Sequence, residues 1–163
     1  MDLIGNFLFG LTFASALGSG LVAGLFFAFS TFVMAALARL PADQGIAAMQ
    51  SINITVLNPL FSLVFMGTAL ASVILAVYSI FKLGTTPTTY LLVGSALYVV
   101  GSFLVTVVCN VPLNDALAAV DPSSAEGTRV WTQYLSQWMV WNHVRTIASL
   151  AALASFIIAL RKW

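Results

Sequence analysis

Residues 131–160 read WTQYLSQWMVWNHVRTIASLAALASFIIAL, and this stretch decides the fold. Its apolar part, residues 138–160, has the length of about 20 residues that a helix needs to cross a hydrocarbon layer of about 30 Å. Its entrance holds three of the four tryptophans and the single histidine of the chain. We therefore predict a membrane-spanning helix whose entrance is aromatic and polar.

An aromatic stripe is expected along this helix. Trp131, Tyr134, Trp138, Trp141 and Arg145 follow one another at spacings of three or four residues. Side chains at these spacings lie on one face of a helix with 3.6 residues per turn. If the protein has a chemical site, we expect its walls to start at this stripe.

The composition places the whole chain in a membrane. Of its 163 residues, 61% are hydrophobic and 7% are charged, whereas soluble domains carry roughly 25% charge. A single cysteine excludes an internal disulfide, and a net charge of +1 gives no reason to propose a nucleic-acid partner. We expect residues 1–163 to form one integral membrane domain.

Four segments are apolar and long enough to span a bilayer: residues 4–37, 56–81, 88–110 and 138–160. Uninterrupted apolar runs favour helices over a β-barrel, because barrel strands alternate between apolar and polar residues. The fold class predicted is therefore all-α, an integral membrane four-helix bundle with up-down topology. Helices 2 and 4 are expected to extend beyond the bilayer.

Local signals refine the helices. Helix 2 is expected to start near Pro41, run through Asn53 and Asn58, and bend at Pro59. Pro112 should disturb the end of helix 3, and Ser123 or Ser124 should cap helix 4. Small residues recur every four positions in helix 1 and predict a ridge of close helix contact, at Ala16, Gly20, Gly24 and Ala28.

Lysine and arginine in the flanks suggest the orientation. Lys82, Arg161 and Lys162 flank one side of the predicted bundle, and Arg39 and Arg129 flank the other. Since cytoplasmic loops carry the excess of positive residues, both termini are expected in the cytoplasm. The expected location is the bacterial inner membrane.

Polar side chains converge on one side of the membrane in this topology. They come from the start of the second span, the end of the third and the start of the fourth, and they predict a polar pocket mouth within the bundle. The expected substrate-binding residues are Asn53, Asn58, Asn110, Asn114, Trp138, Trp141 and Asn142.

His143 and Arg145 are the candidate catalytic residues. His143 is the only side chain with an ordinary pKa near neutrality, which suits a general base; it could equally ligate haem iron or have a structural role. Arg145 could hold a phenolate as a permanently charged donor, or reach back to the headgroups. The tryptophans could line a pocket or form an interfacial belt.

Several motifs, in this order, resemble a known family. They are LVAGLFFAFSTFVM at 21–34, QSIN at 50–53, NP at 58–59, NVPLN at 110–114 and WMVWNHVR at 138–145. Together they resemble the anthrone-oxygenase-like family of small four-helix membrane proteins. The resemblance covers nearly the whole chain, and the order of the motifs makes it specific.

The resemblance implies a function. Fungal members of the family are associated with oxidation of an anthrone, a tricyclic phenolic ketone, to an anthraquinone. The resemblance therefore implies that this chain is a membrane oxygenase or oxidase for a planar lipophilic phenol, anthrone or quinone-like compound. Under this hypothesis His143 removes a proton, Arg145 and the asparagine amides hold the oxyanion, and no cofactor is required.

Two other functions stay open. The chain could bind haem through His143, or a quinone between its helices, as a redox protein. It could instead be a binding or assembly protein without chemistry, in which the tryptophan stripe contacts a partner helix. The expected partners are a lipophilic aromatic small molecule and the bilayer, and self-association of so small a bundle stays open.

Overall fold

A computed structural model describes residues 3–82 and 84–163 of the chain, and these residues form helices and turns without a β-strand. Five helices follow one another along the chain. They are α1 (Leu3–Leu37), α2 (Ala42–Thr55), α3 (Pro59–Phe81), α4 (Thr86–Ala118) and α5 (Ala125–Arg161).

Four of these helices, α1, α3, α4 and α5, are long and apolar enough to cross a membrane. The prediction of an all-α integral membrane protein with four spans is therefore confirmed. At about 1.5 Å per residue, the 37 residues of α5 extend for about 55 Å, which exceeds the hydrocarbon thickness of about 30 Å. Where the bilayer lies along α5 stays a prediction.

The prediction of one continuous second helix is wrong. Instead of one bent helix, the chain forms α2, a break at residues 56–58, and then α3, which begins at Pro59. Proline disfavours a helical backbone in the residue before it, and Asn58 is extended, with φ −77° and ψ 159°. The Asn58 side chain accepts a hydrogen bond from the Phe61 N–H at 3.0 Å and caps the new helix.

Pro112 disturbs α4 without ending it. Two stretches of wide, π-helical turns, Leu97–Leu104 and Thr106–Asn110, precede it, and the chain then continues as an α-helix to Ala118. Proline has no backbone N–H, and a wide turn lets the helix continue although one backbone hydrogen bond is missing. The third span therefore runs past residue 110, the end predicted from the sequence.

The turn before α5 is held by side chains, as predicted. Ser124 Oγ accepts a hydrogen bond from the Gly127 N–H at 2.9 Å and caps the helix. Ser123 donates to the Asp121 carboxylate through its backbone N–H and its hydroxyl, which holds the pKa of Asp121 below its usual value.

The helix α5 is the centre of the bundle and packs on α1, α2 and α4. It runs antiparallel to α1, since Asn142 contacts Phe26 while Trp163, after its carboxyl end, contacts Phe9. The main apolar core between the spanning helices includes the fully buried Leu75, Tyr98 and Phe156. Several hydroxyl side chains are buried beside it, at Thr68, Ser72, Ser79, Ser95 and Ser102.

A second core lies at the end of the bundle where α2 covers it. It joins Met34 and Leu37 of α1, Ile46 and Met49 of α2, and the aromatic entrance of α5. The Gln50 side chain of α2 donates to two carbonyls at the end of α4, that of Leu117 in its last turn at 2.9 Å and that of Val120 just after it at 3.1 Å. The short helix therefore fixes the end of α4 against α5.

The predicted ridge of small residues in α1 is partly wrong. Gly24 faces outward with open space around it, and a methyl group on Gly20 would make only ordinary contact with Leu153. The close approaches are at Gly18, which packs on Thr68, and at Gly101, which packs on Ala148. Glycine is required at these two points because a side chain would overlap the neighbouring helix.

Replacement of Gly101 by alanine should destabilise the bundle. The added methyl group would overlap the Cβ of Ala148, which cannot rotate away, so α4 and α5 must separate. We expect a cost of about 1–3 kcal/mol, typical of overpacked cores. Thermal unfolding followed by circular dichroism in one detergent measures the change.

The control is Gly24→Ala, which adds the same methyl group where nothing lies within 4 Å. Since alanine favours a helix over glycine, we expect this variant to be as stable as the parent or more stable. Equal unfolding midpoints for Gly101→Ala and Gly24→Ala would contradict the close approach of α4 and α5.

Candidate functional site

The aromatic stripe of α5 forms a stacked column. The rings of Trp131 and Tyr134 lie 5.7 Å apart at 16°, and those of Tyr134 and Trp138 lie 5.8 Å apart at 22°. All three side chains are buried. Offset stacking of this kind stabilises aromatic pairs beyond the area that they bury.

Arg145 continues this column. Its guanidinium carbon lies 5.0 Å from the Trp138 ring centre and 4.1 Å from that of Phe26 in α1, so the cation is held between two ring faces. The side chain is only 4% exposed. Contact between a cation and aromatic faces strengthens when both are removed from water.

Two polar groups complete the surroundings of the guanidinium. Arg145 donates from one terminal nitrogen to Asn142 Oδ1 at 2.9 Å, and from the other to Thr106 Oγ1 of α4 at 3.2 Å. Its Nε–H is buried without a hydrogen-bond partner. One donor of the cation is therefore available to another group.

No carboxylate balances this charge among residues 3–82 and 84–163. The ion pair recorded there joins Arg129 to Glu126 at the exposed start of α5. A buried charge without a partner of opposite sign is costly, and such residues inside spans usually serve function. Arg145 is therefore the strongest candidate for binding an anionic or strongly polar oxygen.

Asn142 links this cation to α1. Its amide group donates to the Phe26 carbonyl at 2.9 Å and to Ser30 Oγ at 2.8 Å, while its oxygen accepts from Arg145. All three of these hydrogen-bonding groups are therefore in use, and Asn142 is fully buried. It fixes the position of the guanidinium relative to α1.

Asparagines of α2 and α4 surround the aromatic column. Asn114 Oδ1 accepts from the Tyr134 hydroxyl at 2.8 Å and from Trp138 Nε1 at 2.9 Å, and Asn53 also reaches the Tyr134 hydroxyl. Asn110 donates to the Trp138 carbonyl at 3.2 Å, but its own oxygen is buried without a partner. The cluster thus offers one free acceptor as well as the free donor of Arg145.

The structure brings together six of the nine predicted site residues. They meet around α5 and are Asn53, Asn110, Asn114, Trp138, Asn142 and Arg145.

The other three predicted residues, Asn58, Trp141 and His143, are exposed. Asn58 caps α3. Trp141 is 38% exposed on the outside of α5, so the buried stripe consists of the other four predicted residues, without Trp141. His143 also lies on the outside, where its Nδ1 is 3.0 Å from Ser30 Oγ. The two candidate catalytic side chains therefore project from different sides of α5.

Ser30 was missed by the reasoning from sequence. It lies in a wide turn of α1, Phe29–Val33, and contacts Asn142 and His143 of α5. A hydroxyl within an apolar run usually faces protein because contact with lipid is costly, and this signal could have indicated it.

Two clefts open sideways between α1 and α3. One, of about 240 Å³, is lined by Val22, Phe61 and neighbouring aliphatic side chains with Asn58 at its end; the other, of about 290 Å³, includes Gly18 and Gly67. Both have mainly apolar linings. The expected polar pocket mouth differs from these clefts, because the polar side chains around Arg145 pack against one another.

Metal ligands do not cluster in the described part of the chain, where no group of three or more His, Cys, Asp or Glu side chains comes together. Cys109 is a free, partly buried thiol. His143 is the single histidine of the chain, and its imidazole is exposed on the outside of the bundle, where a cofactor can reach it.

Comparison with protein families gave a match over most of the spanning helices. The model of the family described as anthrone oxygenase matches residues 58–155, which is more than half of the chain. The matched region includes α3, α4 and the part of α5 that carries Trp138, Asn142 and Arg145. Comparisons with curated proteins and with solved structures gave no match.

Replacement of Asn114 by leucine should destabilise the aromatic column. It leaves the Tyr134 hydroxyl and the Trp138 Nε1–H without their shared acceptor. Each buried donor left unpaired costs about 1–3 kcal/mol. Chemical unfolding followed by tryptophan fluorescence measures the loss.

Tyr134→Phe is the matched control, because it removes one donor and leaves Asn114 bonded to Trp138. We expect this variant to lose less stability than Asn114→Leu. The shared acceptor would be contradicted if Asn114→Leu unfolded at the same denaturant concentration as the parent.

Proposed function

The chain belongs to the anthrone oxygenase family, and from this membership we propose that it is a membrane oxygenase or oxidase for a planar, lipophilic phenolic ketone of the anthrone type. The observation that carries the proposal is the buried guanidinium of Arg145, which has no carboxylate partner among the described residues and whose Nε–H has no hydrogen-bond partner. Such a group suits an oxygen atom that gains negative charge during a reaction.

The proposed reaction consumes one dioxygen and releases one water. The methylene carbon of the anthrone loses a proton, and its electron pair moves into the rings, so that the carbonyl oxygen becomes an enolate. Dioxygen then forms a bond to that carbon and is reduced to a hydroperoxide. Loss of water from the hydroperoxide leaves the second carbonyl of an anthraquinone.

Arg145 stabilises the enolate in this scheme. A guanidinium stays protonated throughout, so it offers a fixed positive charge and donors to the oxygen. In an environment shielded from water, this interaction is stronger than it would be in bulk solvent.

Aromatic side chains around the cation suit flat rings. Phe26 and Trp138 already hold the planar guanidinium between them, and Phe29 lies 5.4 Å from Trp138. A tricyclic ring system can make the same stacked or edge-on contacts. We therefore place the substrate at the seam between α1 and α5, next to Phe26.

His143 is the proposed base. It lies at this seam, beside Ser30 of α1, while Arg145 lies on the inner side of the same helix. A substrate held in the seam would present its acidic carbon to His143 and its oxygen to Arg145. General bases of this kind typically contribute 10²–10⁴-fold to a rate.

Haem ligation is a second candidate function, favoured by the exposure of the His143 imidazole. An imidazole nitrogen is a common axial ligand of haem iron. The absorption spectrum of detergent-purified protein separates the two functions before any assay. A haem band that disappears in His143→Ala would replace the proposed base with an axial ligand.

Replacement of Arg145 by methionine should abolish most of the oxidation. We expect anthraquinone formation above the spontaneous rate to fall about 10²–10³-fold, as for loss of an oxyanion donor. Methionine can fill the buried position without leaving an unpaired charge; Asn142 Oδ1 loses its donor, but the other bonds of Asn142 to α1 remain, so the fold should persist. The measurement is quinone absorbance over time, with circular dichroism to verify folding.

The matched control is Arg129→Met, which removes an exposed arginine from the same helix, where it pairs with Glu126. This variant should retain the parent rate. If Arg145→Met also retains it, the oxyanion role is wrong; if the parent itself gives no rate above the spontaneous one, the oxygenase proposal is wrong.

A further inference from the structure

The wide turn of α1 places Ser30 at a junction of three polar groups on α5. Ser30 Oγ lies 2.8 Å from Asn142 Nδ2, 2.9 Å from Thr146 Oγ1 and 3.0 Å from His143 Nδ1. Wide turns within α-helices are frequent at functional sites, because they alter the direction of the side chains that they carry. The turn Phe29–Val33 has this position in α1.

The direction of each hydrogen bond at Ser30 follows from counting hydrogens. A serine hydroxyl has one hydrogen to donate and two lone pairs that accept. The Asn142 amide is a donor and occupies one lone pair. Thr146 gives its own hydrogen to the Asn142 carbonyl at 2.8 Å, so toward Ser30 it acts as an acceptor.

His143 must then be a donor. The single hydrogen of Ser30 goes to Thr146, and the remaining lone pair of Ser30 can be satisfied only by a hydrogen on His143 Nδ1. The opposite arrangement, with Ser30 donating to His143, would force Thr146 to give up its bond to the Asn142 carbonyl. It therefore makes one hydrogen bond fewer.

We propose that Ser30 is a positioning residue that holds His143 in the tautomer with hydrogen on Nδ1, which leaves Nε2 as the nitrogen that accepts a proton. Nε2 lies on the side of the ring away from Ser30. Val140 and Ile147, about one turn before and after His143 on α5, are both exposed, so the surface of α5 next to the imidazole is apolar. A lipophilic carbon acid dissolved in the bilayer can approach it there.

The inference about the tautomer stands on the hydrogen bonds alone, whereas the role of Nε2 in proton removal rests on the proposed function. The two are tested by different measurements. His143 is the only histidine of the chain, so nitrogen NMR of protein labelled at histidine reports on this ring alone.

The experiment compares the full-length parent with Ser30→Ala, Ser30→Thr and Thr31→Ala in detergent, at a pH where the imidazole is neutral. The parent should show a protonated Nδ1 and an unprotonated Nε2. Ser30→Ala should shift the signals toward a mixture of both tautomers, and Ser30→Thr, which keeps a hydroxyl, should restore the parent pattern.

Thr31→Ala is the matched control. Thr31 belongs to the same wide turn, but its hydroxyl bonds only to carbonyls of α1 itself, with Phe27 at 2.8 Å. Its spectrum should equal that of the parent. A hydrogen on Nε2 in the parent, or an unchanged spectrum in Ser30→Ala, would overturn the assignment of the tautomer.

Oxidation of an anthrone provides the second readout. Ser30→Ala should lower the rate about 10- to 100-fold, the range found when the partner that orients a metal-bound histidine is removed, and Ser30→Thr should recover most of it. A parent rate in Ser30→Ala would overturn the role of Ser30 in the reaction. A parent without activity would overturn the proposed function but leave the NMR result valid.

Discussion

A guanidinium enclosed among apolar helices must be stabilised by groups of its own chain. The guanidinium of Arg145 is enclosed in this way, and residues of three helices surround it. The cation packs against the rings of Phe26 in α1 and Trp138 in α5. It also donates hydrogen bonds to Thr106 of α4 and Asn142 of α5. Because these groups come from three helices, the cation fixes the helices relative to one another. Loss of one partner would leave a buried charge less well satisfied, which is strongly unfavourable.

Wide turns in α1 and α4 allow those helices to reach the cation and its partners. The turn Phe29–Val33 brings Ser30 to Asn142, and the turn Thr106–Asn110 carries both Thr106 and Asn110 toward α5. Pro112 accounts for the second turn, since it removes a backbone donor. The first turn has no proline, and its position coincides with the hydrogen bonds between Ser30 and α5.

The same contacts that stabilise the bundle leave a small set of groups available for chemistry. Arg145 Nε and Asn110 Oδ1 are buried and unpaired, and His143 is exposed on the other side of α5. These groups lie on or near the part of α5 that the anthrone oxygenase family model matches. Phe26 and Ser30 of α1 lie next to these groups, where α1 packs against α5.

The sequence by itself determined the four spanning helices and most of the aromatic column. Apolar length and the lack of charge are local properties, and the spacing of Trp131, Tyr134, Trp138 and Arg145 specifies one helix face whatever packs against it. The break before α3 was also encoded locally, since Asn58 and Pro59 together cap a helix, although a bend was an equally valid expectation from the same residues.

Only the tertiary structure decided which residues at the edges of that face are buried. On an ideal helix, Asn142 lies about 40° to one side of Trp138 and Trp141 about 60° to the other, so periodicity scarcely separates them. Packing of α1 against the Asn142 side buries that amide and leaves Trp141 outside. Ser30 likewise depends on a wide turn that no straight-helix projection represents, because its place is set by contacts with residues more than a hundred positions away.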